Sequence, residues 1–381
     1  MNEYLFVLGR TPELAFAELQ TLFPSAVMLA PHAVLVSTDA VEGLNKTPEE
    51  LIDMLGGTIK IAGVKMHEAT LAPDVVAKLL LAEMSGPLVF GVGKTEGEDP
   101  VPQKFLARVK ELLQTQGKSV RFVSSEHGAL LSSIVVSKQH VTEIIAVPSG
   151  DGVILAKTLA VQNADSWSER DYGRPYADPK AGMLPPKVAR MVVNIAMIKG
   201  GTLLDPFCGM GTILAEGLLS GATVIGSDQS QETVEKARKN IEWLGVRASQ
   251  WKLLTCDATH VSEHLEPTSV DAIVTEPFMG STRLGGNNPI SQSDQLKTIK
   301  NTIKGLEKLY LGCLKDWHMV LKPEGRIVMA IPGFHIGDKM LYVKNVIDRC
   351  EILGYTKLLG PIEYSRPQAV VRRQFFVFQK S

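Results

Sequence analysis

A short apolar run that ends in an acid and a glycine-bearing turn constrains this chain more than any other stretch. Thr202-Leu203-Leu204 is long enough for a buried strand and too short for a helix, and it leads into Asp205-Pro206-Phe207-Cys208-Gly209-Met210-Gly211-Thr212. Two glycines one residue apart let the backbone turn sharply and approach a ligand where a Cβ would collide. Residues 213–220 have helical apolar spacing with Gly221 as the stop, and residues 222–226 form a second apolar run that delivers Asp228. Strand, glycine turn, helix, strand and acid is the order that wraps an adenosine-bearing cofactor at the carboxyl edge of a parallel sheet.

What the turn lacks narrows the cofactor. No third glycine completes a GxGxxG pattern and no GK[ST] follows, which disfavours both a dinucleotide site and a phosphate-cradling loop. An acid ahead of the turn suits a ligand that ends in an ammonium, and an acid after the second strand suits ribose hydroxyls. S-adenosylmethionine has both. The candidate cofactor contacts are Asp205, Phe207, Gly209, Gly211, Thr212, Asp228 and Gln229. A third strand expected over 251–256 ends in Asp257 and Ala258, where a carboxylate can accept a hydrogen bond from the adenine amino group. The plainer reading, a glycine that any strand–helix turn needs, explains the GxG but not the acids around it.

The stretch DPFCGMGTILAEG, the upstream DPKAGMLPPKVARMVVNIA (178–196) and the opening YLFVLGRTPELAFAEL (4–19) together resemble the tRNA guanosine N2-methyltransferases that act at position 10. The resemblance runs over nearly the whole chain, densest over 170–228. It implies an α/β architecture: a Rossmann-like, doubly wound methyltransferase domain at the C-terminus, preceded by an α+β ferredoxin-like and THUMP-like RNA-binding region. The expected divisions are 1–87 (ferredoxin-like), 88–165 (THUMP-like), 166–187 (linker) and 188–381 (catalytic). It also implies tRNA as the partner, and contact of Met183 and Leu184 with the cofactor.

Net charge is −1, which is awkward for a protein that grips phosphates. The balance is uneven, however: −6 over 1–90, zero over 91–165 and +5 over 166–381. RNA contact is therefore expected from local patches in the second and third segments. A helix over 103–116 shows Lys104 and Arg108 on its polar face, although a solvated face alone would look the same. Between 165 and 187 Arg170, Arg174 and Lys180 interleave with Trp167, Tyr172 and Tyr176, and cations among aromatics commonly hold unstacked nucleotides. The alternative is a strap whose aromatics simply pack.

The four cysteines are widely spaced with no CxxC, which argues for reduced thiols and against structural zinc, so no metal is expected. No apolar run approaches a membrane span, and the acidic start lacks a basic leader; a cytoplasmic location is expected. Further expectations are helices over 187–198, 231–244, 295–320 and 342–353, strands over 270–275 and 326–331, a turn at Lys322-Pro323-Glu324-Gly325, and a closing pair near 356–359 and 374–379. Arg366, Arg372 and Arg373 flank that pair, as edge charge or, less favoured, as phosphate contacts.

The fourth strand leads into Glu276-Pro277-Phe278-Met279-Gly280, within VDAIVTEPFMG. Enzymes of the resembling class place (Asp/Asn)-Pro-Pro-(Tyr/Phe) there. An exocyclic base amine has its lone pair delocalised into the ring. An acceptor that takes its hydrogens favours a pyramidal nitrogen, the aromatic stacks on the extruded base, and proline stiffens the turn. Glu276, Pro277 and Phe278 are the candidate catalytic residues. This chain departs from the pattern: the acid is one methylene longer, and the aromatic stands where the second proline would be. Gly280 favours the ungapped register over one shifted by a residue. The departure leaves two rival readings, methylation of another amino group (adenine N6 or a glutamine amide) and a cofactor- and RNA-binding protein whose catalysis has decayed. The glycine-rich stretch 281–293 reads as a loop over the substrate.

Overall fold

The computed structural model describes residues 3–82, 86–95, 100–125, 129–150, 152–177, 183–197, 200–280, 292–336, 339–365 and 371–381. Lys180, Arg366 and almost all of the expected loop at 281–293 lie outside them. The chain divides into two compact units, Met1–Ser168 and Glu169–Ser381.

The first unit contains β1 (Glu3–Leu8), α1 (Pro12–Leu22), β2 (Val27–Ala30), β3 (Ala33–Ser37), α2 (Thr38–Glu42), α3 (Pro48–Met54), β4 (Thr58–Glu68) and α4 (Pro73–Ala82). There follow β5 (Leu88–Lys94), α5 (Gln103–Thr115), β6 (Val120–Phe122), α6 (Ser133–Lys138), β7 (Thr142–Ser149), β8 (Gly152–Val161) and α7 (Ala164–Ser168). Its strands form one sheet in the order β2-β3-β1-β4-β8-β7-β5-β6. Strands from both sides of position 87 share it, joined where β4 runs antiparallel to β8. Thr11-Pro12-Glu13 and Thr47-Pro48-Glu49-Glu50 both carry a helix-start signal in the sequence; Thr47 caps α3 reciprocally with Glu50, whereas Thr11 makes no side-chain cap for α1. Leu106, Val109 and Leu113 of α5 are buried, and Lys104 and Arg108 stand on its exposed side, where Arg108 pairs with Glu111 at 2.7 Å. At the centre of the sheet the Lys60 ammonium meets the Glu143 carboxylate at 2.5 Å, both side chains almost fully buried.

The second unit contains α8 (Pro186–Ile195), β9 (Thr202–Asp205), α9 (Thr212–Leu219), β10 (Thr223–Asp228), α10 (Gln231–Trp243), β11 (Trp251–Thr255) and β12 (Val270–Thr275). It closes with α11 (Gln292–Val320), β13 (Leu321–Ile336), β14 (Lys339–Tyr342), α12 (Lys344–Asp348), β15 (Tyr355–Tyr364) and β16 (Val371–Lys380). Its sheet has the order β11-β10-β9-β12-β13-β16-β15, with β14 attached to β13. The first five strands of that order are parallel, and β16 enters antiparallel between β13 and β15. α11 lays Tyr310, Cys313, Leu314 and Trp317 into the core, the i, i+3, i+4, i+7 spacing of a single helix face. Strand order reverses between β9 and β12, which makes the crevice beyond their carboxyl ends the natural ligand site.

Three elements differ from the sequence expectation. The presumed linker is partly ordered, with α7 followed by a π-helical turn at Glu169–Gly173. The turn at 322–325 lies inside β13 as a bulge: Val270 pairs with Leu321 and Ala272 with Arg326, so four residues are looped out, and Glu324 takes a positive φ of 61°. The helix expected over 342–353 shrinks to α12 and one 3-10 turn, Glu351–Leu353.

Candidate functional site

Four strand ends line the crevice in the order β11, β10, β9, β12, and each delivers an acid: Asp257, Asp228, Asp205 and Glu276. Three strand spacings make the row about 14 Å long. Asp205 is the deepest, 1% exposed. Its Oδ1 accepts from Thr275 Oγ1 at 2.7 Å and from the Phe207 amide at 3.1 Å, so the two strands that flank the switch point are tied through this carboxylate. Burial pushes the Asp205 carboxyl up to about 7, the two hydrogen bonds oppose that rise, and the charges of Glu276 and Asp228 add to it. Among the described residues no cation pairs with it.

The turn after Asp205 is shaped by its glycines. Gly209 and Gly211 adopt φ of 51° and 84°, and a Cβ on Gly209 would meet nothing, so the backbone borders open space there. Gly211 opens α9 as its N-cap, and the Cys208 amide donates to Ser227 O at 2.9 Å, which anchors the turn to β10. Phe207 packs edge-on against Trp317 at 6.4 Å. The Thr212 hydroxyl accepts from Arg174 at 2.7 Å.

Asp228 is half-buried and accepts from the Ser230 amide at 2.9 Å; Gln229 beside it is exposed. Asp257 is exposed, and its Oδ1 accepts from the Thr259 amide and hydroxyl at 2.8 and 2.7 Å, which hold its carboxyl below the usual range. Ala258 is buried, its carbonyl taken by Trp317 Nε1 at 2.9 Å. Met183 is half-buried and Leu184 buried, just ahead of α8.

After β12 the chain continues through Glu276-Pro277-Phe278-Met279-Gly280. Pro277 is buried and Phe278 is 59% exposed, with the Phe278 carbonyl accepting from Tyr310 Oη at 2.7 Å. Gly280 has φ of 86°, and a Cβ there would come within 2.8 Å of Thr302 Cγ2, so the glycine is needed both for conformation and for close approach. The Glu276 Oε1 accepts from Arg373 Nε of β16 in an ion pair. Burial pushes the Glu276 carboxyl up and Arg373 opposes it, leaving a net rise.

Two of the strap cations, Arg170 and Arg174, are not free. Arg170 donates to buried Glu216 of α9 at 2.8 Å, and Arg190 of α8 meets the same carboxylate at 2.8 Å. Arg174 is held at Thr212, so these two of the expected substrate contacts are turned toward α9. A carboxylate buried in the middle of an apolar helix needs cations, and these two arginines supply them. Residues missed from the sequence include Glu216 and Asn240. The Asn240 amide brackets the Tyr176 backbone with two bonds of 2.9 Å and donates to Met210 O at 2.9 Å, which fastens the strap to the glycine turn. The only signal for Glu216 was its charge within TILAEGLL. Among the described residues no group of three or more His, Cys, Asp or Glu side chains could hold a metal ion, and no helix is long and apolar enough to cross a membrane.

Sheet order, switch point and the row of strand-end acids define a Rossmann-like, doubly wound domain. Residues 173–288 match the family model for the RMKL-like methyltransferase domain, UPF0020. A tRNA (guanine(10)-N2)-dimethyltransferase of Methanothermobacter thermautotrophicus is 34% identical over 196 residues, 51% of this chain and 51% of that protein. Its counterpart from Pyrococcus abyssi is 30% identical over 207 residues, 54% of this chain and 52% of the relative. The chain thus matches about half the length of these relatives. A crystal structure of TrmN from Thermus thermophilus aligns over 100% of both chains with a TM-score of 0.55 at 20% identity, a likeness of fold. These matches support the family resemblance drawn from the sequence.

Proposed function

We propose that this chain is an S-adenosylmethionine-dependent tRNA methyltransferase that forms N2-methylguanosine, with guanosine 10 as the target its relatives' names suggest. The observation that carries the reading is the Asp205–Thr275 link at the switch point, with Glu276-Pro277-Phe278 following on the next strand. Asp205 fits the cofactor's ammonium. It is a buried carboxylate with no cation partner among the described residues, and its raised pKa is what a site built for an absent positive charge should show. Asp228 and Asp257 suit the ribose and the adenine, and the open face at Gly209 leaves the backbone accessible. Met183, Leu184, Phe207, Thr212, Gln229 and Ala258 complete the proposed contacts. When bound, the cofactor supplies a methyl group on a sulfonium.

The chain's own residues handle the base. Phe278 offers an exposed ring for stacking, Pro277 fixes the turn, and Glu276 accepts a hydrogen of the amine, which raises the nitrogen's nucleophilicity and favours proton loss as the N–C bond forms. The N-terminal unit, with ferredoxin-like 1–87 and THUMP-like 88–165, would hold the RNA through patches such as Lys104 and Arg108, in the cytoplasm. The test is nucleoside mass spectrometry of an unmodified tRNA transcript after incubation with the protein and S-adenosylmethionine. N2-methylguanosine should appear, and should vanish when guanosine 10 is replaced by adenosine. Cofactor binding without any methylated guanosine would overturn the assignment.

A further inference from the structure

Among the described residues, Arg373 is the cation paired with the candidate acceptor, contributed from 97 residues away in sequence. It sits in the middle of three strands, opposite Pro332 of β13 and Tyr364 of β15. Its guanidinium also lies 5.9 Å from the centre of the Tyr364 ring. Its neighbour Arg372 pairs with Glu363 at 2.9 Å, as expected for successive strand residues that point to opposite faces. One arginine therefore stabilises the strand pair, and the other is directed at the catalytic turn.

We propose that Arg373 is a positioning residue for the methyl transfer, its Nε pinning Oε1 of Glu276 so that Oε2 remains to accept the substrate amine; this rests on the function proposed above. Oε2 has no partner among the described residues. Two features of the chain make such a clamp necessary. Glu276 is a methylene longer than the acid the family resemblance implies, so it has an additional rotatable bond and more side-chain freedom to lose. It also lies half-buried near Asp205 of β9 and Tyr310 of α11, with Asp228 beyond Asp205. Burial penalises its ionised form, and among the described residues Arg373 is the group that offsets this, by charge and by hydrogen bond. A planar guanidinium holds a carboxylate in a fixed plane, which an ammonium does not.

The experiment compares wild type, Arg373→Met and Arg373→Lys, each with Glu276 native and with Glu276→Gln, in single-turnover methylation of tRNA across pH. Calorimetric binding of S-adenosylhomocysteine checks that each variant is folded. Arg373→Met should lower the rate roughly 100-fold at neutral pH, the scale of a misplaced reacting group. It should also move the acid limb of the profile toward alkaline pH, with cofactor affinity unchanged. Arg373→Lys should restore the limb but only part of the rate. In the Glu276→Gln background Arg373→Met should cost little more. A full rate in Arg373→Met, or the same loss in both backgrounds, overturns the positioning role and leaves the function intact. Titration of Glu276 followed by carboxylate 13C NMR reads the pair without catalysis. A wild-type protein that shows the pair but methylates no RNA refutes the function, and the positioning role with it.

Discussion

Asp205→Asn should stabilise the ligand-free protein at pH 8 while it abolishes cofactor binding. The Asp205 carboxyl is raised to about 7 in the folded state by burial, against about 3.9 for an unperturbed aspartate. Between those values the folded state holds a proton that the unfolded state has released. Stability therefore falls as pH rises from about 4 to about 7, and above 7 the loss is complete. Three pH units at 1.36 kcal/mol each put a ceiling of about 4 kcal/mol on it. Asparagine keeps an Oδ1 to accept from Thr275 and Phe207, and it cannot ionise. Its amide must be desolvated, at about 1–2 kcal/mol, which leaves a net gain of about 2 kcal/mol at pH 8 and a net loss of about 1–2 kcal/mol near pH 4.

The assay is urea denaturation at pH 5 and pH 8, read by tryptophan fluorescence. Trp243, Trp251 and Trp317 all lie in the second unit and report on it. S-adenosylhomocysteine added in excess should raise the midpoint of wild type and leave Asp205→Asn unmoved, since the ligand's ammonium has lost its partner. The reasoning is refuted if Asp205→Asn is less stable than wild type at pH 8 with an unchanged pH slope, or if the ligand still raises its midpoint.

Phe278→Ala removes a ring that is 59% exposed, so stability should stay within about 0.5 kcal/mol while the single-turnover rate with tRNA falls, by about 1–3 kcal/mol if the ring stacks on a base. In the first unit, Lys60→Met strands a Glu143 that is 0% exposed and should cost about 3–5 kcal/mol. Lys60→Met with Glu143→Leu should recover most of that, which denaturation followed at Trp167 will show.

Local chemistry was legible in the sequence, and long-range pairing was not. The glycine turn could be read because each part of it acts within a few residues: Asp205 ends its strand, Gly209 and Gly211 take the positive φ the turn needs, and Asp228 ends the next strand. Helix starts were half legible. Thr47 with Glu50 forms the reciprocal cap their spacing suggests, while Thr11, with the same proline after it, makes none. Lys322-Pro323-Glu324-Gly325 has turn composition and does turn, but as a bulge inside β13, because pairing with β12 resumes on the other side. Arg170 looked like a nucleotide contact because it interleaves with the aromatics Trp167, Tyr172 and Tyr176. Its partner Glu216 is 46 residues on.

The same limit bears on the departure at Glu276, which left a decayed site among the rival readings. Judged locally, a longer acid and a displaced aromatic weaken the turn. In the folded chain each change has a counterpart elsewhere. The extra methylene is met by an ion pair to Arg373 of β16, and the turn is held by Tyr310 of α11 through the Phe278 carbonyl. Gly280 keeps the backbone close to Thr302. Phe278 presents an exposed ring one residue before the position of the family's aromatic, where the proposed function needs a stacking surface. A decaying site has no selection to keep distant groups matched to its changes. Here the longer acid meets a cation placed for it by the centre of a three-strand ladder, while the neighbouring Arg372 serves the opposite face. That match favours a working catalytic turn of altered geometry over a ruined one.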